Sequence, residues 1–232
     1  MPDRQQSVTI RPESVQAAAA AVVATLQPGI DADWSVKAGD LDWSVDRTIS
    51  HMTGASARYA FYLSSRSTRY VAVRTGWPQA DATRQERLEA IEACAAALAG
   101  VAATAPPDAV GFHVSGMKNA EQFLEMGCYE LLIHTYDVTC GLGLPYEPPE
   151  ELCRLVLEHE LEILGGRWPE LLRPHQDQQR PAWPHLVWLS GRPHPAAHGW
   201  GLPPKPDERS EIPLEFARDP ATGEWRAIRW AT

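Results

Sequence analysis

The sequence has little of what a nucleic-acid-binding or membrane protein needs. Its 232 residues carry 21 Lys and Arg against 30 Asp and Glu, a formal net charge of −9. Binding to a phosphate backbone or an anionic bilayer calls for a basic face, which this balance disfavours. No apolar run approaches the ~20 residues of a transmembrane helix. The start, Met1–Gln6, is polar and lacks the apolar core of a secretory signal. We therefore expect no nucleic-acid or membrane partner and a cytoplasmic location.

Cysteine is also scarce, and sequence repeats are absent. The chain has 4 cysteines and no CxxC pair, so reduced thiols are expected rather than disulfides or a zinc knuckle. The absence of an internal repeat excludes a solenoid. The length fits one domain, or one domain with an appendage, acting as a monomer or homodimer.

Apolar residues recur at helical spacing through most of the first 166 residues, which predicts four or five helices. Their predicted starts are Pro12, Ser44 as an N-cap, the capping box Thr83-x-x-Glu86, Ser115 or Gly116, and Pro148-Pro149-Glu150. Their predicted ends are Pro28-Gly29, Ser64–Ser67, Gly100, Gly141–Gly143 and Gly165-Gly166. We predict a mainly α fold with a helical bundle over residues 1–166.

Residues 167–232 differ in character, being rich in proline and histidine. Apolar and polar residues alternate over Glu211–Arg218 and, less cleanly, over Glu224–Trp230. These two segments flank the turn-forming Asp219–Gly223. The pattern predicts a β-hairpin, and Pro184–Leu189 is expected as a short helical or extended piece. The tail is predicted to be a small mixed appendage packed on the bundle.

The sharpest chemical signal lies in the fourth predicted helix, at Glu130-Leu-Leu-Ile-His134. Side chains four apart share a helix face, ~6 Å from each other, so both can reach one metal ion. Asp137 follows on nearly the same stripe. The spacing alone also fits a solvated helix face, but the apolar neighbours Leu131 and Leu132 indicate burial. Buried charged groups require partners.

A third ligand has to come from elsewhere in the chain, and the residues alone leave it open. His51, beside Met52 on the second helix, fits either a core histidine or a ligand. His159, amid glutamates on the fifth helix, is expected to face solvent. His194 and His198 have metal-like spacing, but Pro195 between them disfavours a helix there.

Two segments together resemble a known superfamily. Trp43-Ser-Val-Asp-Arg-Thr-Ile-Ser-His51-Met, followed by Glu130-Leu-Leu-Ile-His134-Thr-Tyr-Asp137-Val-Thr-Cys-Gly-Leu-Gly143, resembles the DinB-like superfamily. Within it the similarity is to the mycothiol-dependent maleylpyruvate isomerase type, over roughly residues 10–166. The resemblance implies a DinB-like four-helix bundle. It also implies one divalent metal ion, held by His51, Glu130 and His134.

The resemblance further implies thiol chemistry on a small molecule. We expect a metal-dependent enzyme that activates mycothiol for S-transfer to, or isomerisation of, a small electrophile. Zinc is the first candidate ion, with nickel, iron or manganese as alternatives. A thiol-independent hydrolase or biosynthetic enzyme, and a non-catalytic metal-binding stress protein, are the alternative functions.

Three further residues receive weaker predictions. Asp137 is expected either to orient a ligand histidine or to be an ordinary helix-face carboxylate. Arg58, two turns after His51, is expected to bind a substrate carboxylate or to form a structural ion pair. Tyr59 is predicted to be a packing residue.

Overall fold

The structure, a computed structural model, describes residues 9–72, 81–167, 180–200 and 213–230. Its helices are α1 (Pro12–Leu26), α2 (Val45–Ser65), α3 (Arg84–Thr104), α4 (Ala120–Leu142), α5 (Glu150–Arg167) and α6 (Ala182–Leu189). Its strands are β1 (Val110–Gly111), β2 (Lys118–Asn119), β3 (Pro213–Arg218) and β4 (Trp225–Trp230). The predicted mainly α fold with a terminal hairpin is confirmed. Glu211 and Ile212 of the predicted first strand lie outside the described residues.

Side-chain caps fix two of the helix starts where the sequence predicts them. Ser44 Oγ accepts a hydrogen bond from the Arg47 amide at 3.2 Å. Thr83 Oγ1 accepts from the Glu86 amide at 3.2 Å, and Glu86 Oε2 accepts from the Thr83 amide at 2.7 Å. These caps satisfy amides that lack a partner within the helix, and each stabilises its helix by about 1 kcal/mol.

Two predicted helix boundaries are wrong. α4 begins at Ala120 rather than Ser115 or Gly116, because Asn119 Oδ1 caps the Gln122 amide at 2.9 Å. The residues just before it form β2, paired antiparallel with β1. α3 continues past Gly100 to Thr104. It stops there because Ala105 precedes Pro106, and a residue before proline is driven out of the helical region.

Helices α1 to α4 pack around one apolar core. α2 lies against α3 and α4, and α1 lies against the same two helices. Each helix turns a stripe of fully buried side chains inward, and each such side chain contributes roughly 1.5–3 kcal/mol. The stripes include Val15 and Leu26 of α1, Ile49 and Met52 of α2, Leu88 and Ile91 of α3, and Phe123 and Leu131 of α4. This packing places α2 beside α4.

Contacts between the C-terminal elements and the bundle include those of α5 and of β3. α5 packs against α4 and α6. The Phe216 amide of β3 donates to the Thr68 carbonyl at 2.7 Å, and the Tyr70 amide donates to Leu214 at 2.8 Å. The Phe216 ring lies 5.8 Å from that of Phe112, centroid to centroid. A domain boundary at residue 166 stays a prediction.

Within the described ranges, every helix is too short or too polar to cross a lipid bilayer.

Replacing either of two helical glycines by alanine should change the free energy of unfolding, in opposite directions. A Cβ on Gly141 in α4 would lie 2.3 Å from the Lys37 carbonyl oxygen, whereas one on Gly100 in α3 meets nothing within 4 Å. We expect Gly141→Ala to lower the free energy of unfolding by about 1–3 kcal/mol. Gly100→Ala should raise it by roughly 0.5–1 kcal/mol. Urea denaturation of both variants measures this, and equal effects would contradict the close approach of α4 to Lys37.

Candidate metal centre

α2 and α4 bring three side chains with metal-binding atoms to one point. His51 Nε2 lies 3.1 Å from Glu130 Oε2, and His134 Nε2 lies 3.2 Å from the same oxygen. One ligand atom from each residue lies within 4.8 Å of the others. The two imidazole rings are nearly perpendicular, with centroids 4.8 Å apart. The structure thus joins the helix pair Glu130 and His134 to His51, from a different helix.

The carboxylate at the centre of this group is an anion. The side chains of His51, Glu130 and His134 are 22%, 18% and 12% exposed. Burial alone would raise the pKa of Glu130, but hydrogen bonds from His134 and His51 outweigh it and hold that pKa well below its usual range. One negative charge therefore lies between two imidazoles, in a site shielded from most solvent.

Tyr59 holds the other oxygen of the same carboxylate. Its hydroxyl donates to Glu130 Oε1 at 2.8 Å. Burial, and then the charge of Glu130, raises the pKa of Tyr59 well above 10, so the phenol stays a neutral donor. The predicted packing role of Tyr59 is confirmed, since it is buried with its ring centroid 5.8 Å from that of Phe123, but its bond to Glu130 is not part of the prediction. The position of Tyr59 eight residues after His51, two turns along α2, is the signal that would have found this bond.

Trp43 forms an aromatic wall beside the two histidines. Its ring centroid lies 5.0 Å from that of His51 and 6.3 Å from that of His134. The guanidinium carbon of Arg47 lies 4.8 Å from the Trp43 ring centroid, a cation–π contact. Because Trp43 directly precedes the N-cap Ser44, the start of α2 fixes this wall relative to His51.

Asp137 lies beside His134, one turn along α4. His134 Nδ1 is 2.9 Å from Asp137 Oδ2. Burial would raise the pKa of Asp137, but hydrogen bonds from His134 and Arg192 lower it, so the carboxylate is ionised. His134 Nε2 donates to Glu130 in this structure, so a metal would have to replace that proton. An ionised acceptor at Nδ1 keeps the other ring proton there, and so directs Nε2 to the metal.

The residues present fit a divalent metal ion. Two imidazole nitrogens and one carboxylate oxygen form the three-ligand set of catalytic zinc sites, which keep a further position for water or substrate. The group found among the described residues has these three members and no fourth side chain. These donor types suit zinc, and they also accept nickel, iron or manganese.

Comparison with known families gives an independent result for the same region. The family model of the mycothiol maleylpyruvate isomerase N-terminal domain matches residues 15–139. This range is more than half of the chain and contains His51, Glu130 and His134. The chain belongs to this family. No curated protein and no solved structure matches the chain.

Arg58 and Cys128 are two other residues within the range that the family model matches. Arg58 lies half-buried on α2, beside Tyr59 and Tyr62. Its role in substrate binding stays a prediction. Cys128 is fully buried in the core.

A second buried carboxylate lies in the same family region, on α4 before Glu130. Glu125 is fully buried, and His159 Nε2 of α5 lies 3.6 Å from its Oε2. The prediction that His159 faces solvent is wrong, because α5 packs this side chain toward α4. Burial, and then the charge of Glu160, raises the pKa of Glu125 well above its usual value.

The hydrogen bond from Tyr59 should tune metal affinity. Tyr59→Phe removes the donor to Glu130 Oε1 and frees the carboxylate to rotate, so we expect zinc to bind about tenfold more weakly. Tyr62→Phe is the matched control, since Tyr62 lies on the same helix and packs against Phe112 instead. Competition with a chromophoric chelator measures both affinities. Equal affinities in the two variants would show that this bond does not support the site.

Proposed function

We propose that this chain is a divalent-metal-dependent enzyme that uses mycothiol for S-transfer to, or isomerisation of, a small electrophile. The observation that carries the proposal is the convergence of His51, Glu130 and His134 on one point. These residues lie inside the range matched by a family named for mycothiol and maleylpyruvate isomerisation. The family supports the reaction class, and the geometry supports the ligand roles.

In this proposal the ion would be held by His51, Glu130 and His134. A bound divalent cation lowers the pKa of a coordinated thiol from about 8.5, so that the thiolate forms at neutral pH. Tyr59 keeps Glu130 Oε1 engaged, so that Oε2 is the oxygen presented to the ion. Asp137 fixes the ring of His134 in the orientation that directs Nε2 inward.

The surroundings of the three ligands also shape what can react there. Trp43 covers one side of both imidazoles, which restricts water beside the proposed thiolate. Arg58, two turns after His51 on α2, supplies a cation for an anionic group of the substrate. A thiolate attacks an electrophilic carbon. In an isomerase it would add to a conjugated carbon, with the electron pair moving to the carbonyl as an enolate, and after rotation about the new single bond the enolate would expel the thiolate. In a transferase the new carbon–sulfur bond would stay in the product as the leaving group of the electrophile departs.

Metal analysis tests the ligand set. Plasma mass spectrometry of the purified full-length chain is expected to find about one zinc or nickel ion per chain, since three ligands hold such an ion in catalytic sites. His51→Ala and His134→Ala should each lose it, because two ligands remain. His198→Ala, a histidine exposed in the tail, should keep it. A wild-type chain free of metal even after reconstitution would refute the ligand set.

Thiol dependence tests the reaction class. We expect the metal-loaded protein to accelerate either the mycothiol-dependent isomerisation of maleylpyruvate or the reaction of mycothiol with a bimane electrophile. Glu130→Gln should abolish the acceleration, because an amide does not supply the anionic ligand. The ultraviolet spectrum of maleylpyruvate reports the isomerisation, and the consumption of mycothiol reports the reaction with bimane. Turnover that needs the metal but no thiol would instead establish the thiol-independent alternative.

A further inference from the structure

We propose that Arg192, in the segment after α6, is a positioning residue of the metal centre that acts on His134 through Asp137. The inference rests on the proposed metal-binding function. It extends the site beyond residues 15–139, the range that the family model matches. Arg192 is separated from Asp137 by 55 residues of chain.

Arg192 binds Asp137 through two parallel hydrogen bonds. Its Nε donates to Oδ1 at 2.9 Å, and its Nη2 donates to Oδ2 at 2.8 Å. The Arg192 side chain is 17% exposed and that of Asp137 is 2% exposed. Bidentate pairs between guanidinium and carboxylate are strong and geometrically specific, and burial protects this pair from water and salt. Arg192 therefore fixes the plane of the carboxylate.

The fixed carboxylate in turn determines how His134 is presented. Asp137 Oδ2 also accepts from His134 Nδ1 at 2.9 Å, while His134 Nε2 points to Glu130 Oε2 at 3.2 Å. Rotation of the carboxylate would tilt the imidazole and move its Nε2 atom away from the ligand cluster. The chain of contacts from Arg192 to Asp137 to His134 thus ends at a proposed metal ligand.

The backbone around Arg192 holds its guanidinium in place. Nη1 of Arg192 donates to the Ser190 carbonyl at 3.0 Å, and the Arg192 amide donates to Val187 of α6 at 3.2 Å. The next residue is attached separately, because the Tyr136 hydroxyl donates to the Pro193 carbonyl at 2.6 Å. Arg192 and Pro193 therefore both attach this segment to α4. Of the two, only Arg192 binds a residue, Asp137, that is itself hydrogen-bonded to His134.

Because Arg192 and Pro193 are attached to α4 by separate hydrogen bonds, a positioning role of Arg192 can be distinguished from simple attachment of the segment. If the ion pair only attached the segment to α4, loss of the Tyr136 bond should affect the metal about as much as loss of Arg192. If Arg192 acts through Asp137, only its own loss should change the ligand field at the metal. A spectroscopic signal from the metal distinguishes these cases, because attachment alone does not reorient an imidazole.

The experiment compares Arg192→Met, Arg192→Lys and Tyr136→Phe in the full-length chain. Zinc affinity is measured by competition with a chromophoric chelator, and the cobalt-substituted proteins give visible d–d spectra. We expect Arg192→Met to weaken zinc binding by roughly 10–100-fold, as is typical when a group that orients a metal ligand is lost. Its cobalt bands should shift. Arg192→Lys should restore part of the affinity, and Tyr136→Phe should leave both measurements unchanged.

A double-mutant cycle tests the route through Asp137. In an Asp137→Asn background, Arg192→Met should cause almost no additional loss of zinc affinity, whereas independent effects would add. Circular dichroism confirms that each variant is folded.

Folded Arg192→Met with wild-type affinity and an unshifted cobalt spectrum would overturn the proposal. So would equal losses in Arg192→Met and Tyr136→Phe, or additive effects in the cycle. A wild-type chain that binds neither zinc nor cobalt would refute the proposed function itself, which distinguishes the two failures.

Discussion

One carboxylate oxygen, Glu130 Oε2, is the point on which the rest of the site depends. Removing a carboxylate from water costs several kcal/mol unless its lone pairs are matched by donors or cations. Here His51 and His134 approach one oxygen and Tyr59 donates to the other. Each partner reaches Glu130 only if α2 and α4 keep their register, since one residue of helix rotation turns a side chain by about 100°. The apolar packing of the bundle provides that register. The register has to be precise because His51 and Tyr59 on α2 must both reach Glu130 on α4.

The sequence predicted what arises within single elements. Apolar periodicity gave the helices of the bundle, and Ser44 and Thr83 gave two of their starts, because caps are local contacts between residues three apart. Glu130 and His134 were found as a pair for the same reason. The start of α4 was missed because Asn119 with Gln122 is a less recognisable capping pair than serine with glutamate. The end of α3 was placed at a glycine when the proline at position 106 decides it.

What the sequence did not predict arises between elements. His51 entered the ligand set through family resemblance, since no periodic pattern states which face of α2 meets α4. Tyr59 was assigned to packing because an aromatic residue on a buried stripe has that role by default. Arg192 gave no signal, as a single arginine near prolines resembles any loop residue. Its importance appears only when its guanidinium is found on a buried aspartate.

The proposed metal centre extends beyond the range of residues that the family model matches. The matched range ends at residue 139, before α4 ends at Leu142, yet it contains His51, Glu130, His134 and Asp137. It omits Arg192, whose two hydrogen bonds account for both oxygens of Asp137. Among the residues that the structure describes, Asp137 would otherwise be a nearly fully buried carboxylate with only His134 as a side-chain partner. Because that aspartate orients a proposed metal ligand, the segment after α6 belongs to the site in physical terms. Related chains whose C-terminal segments differ from this one would then have to satisfy the same aspartate by another donor.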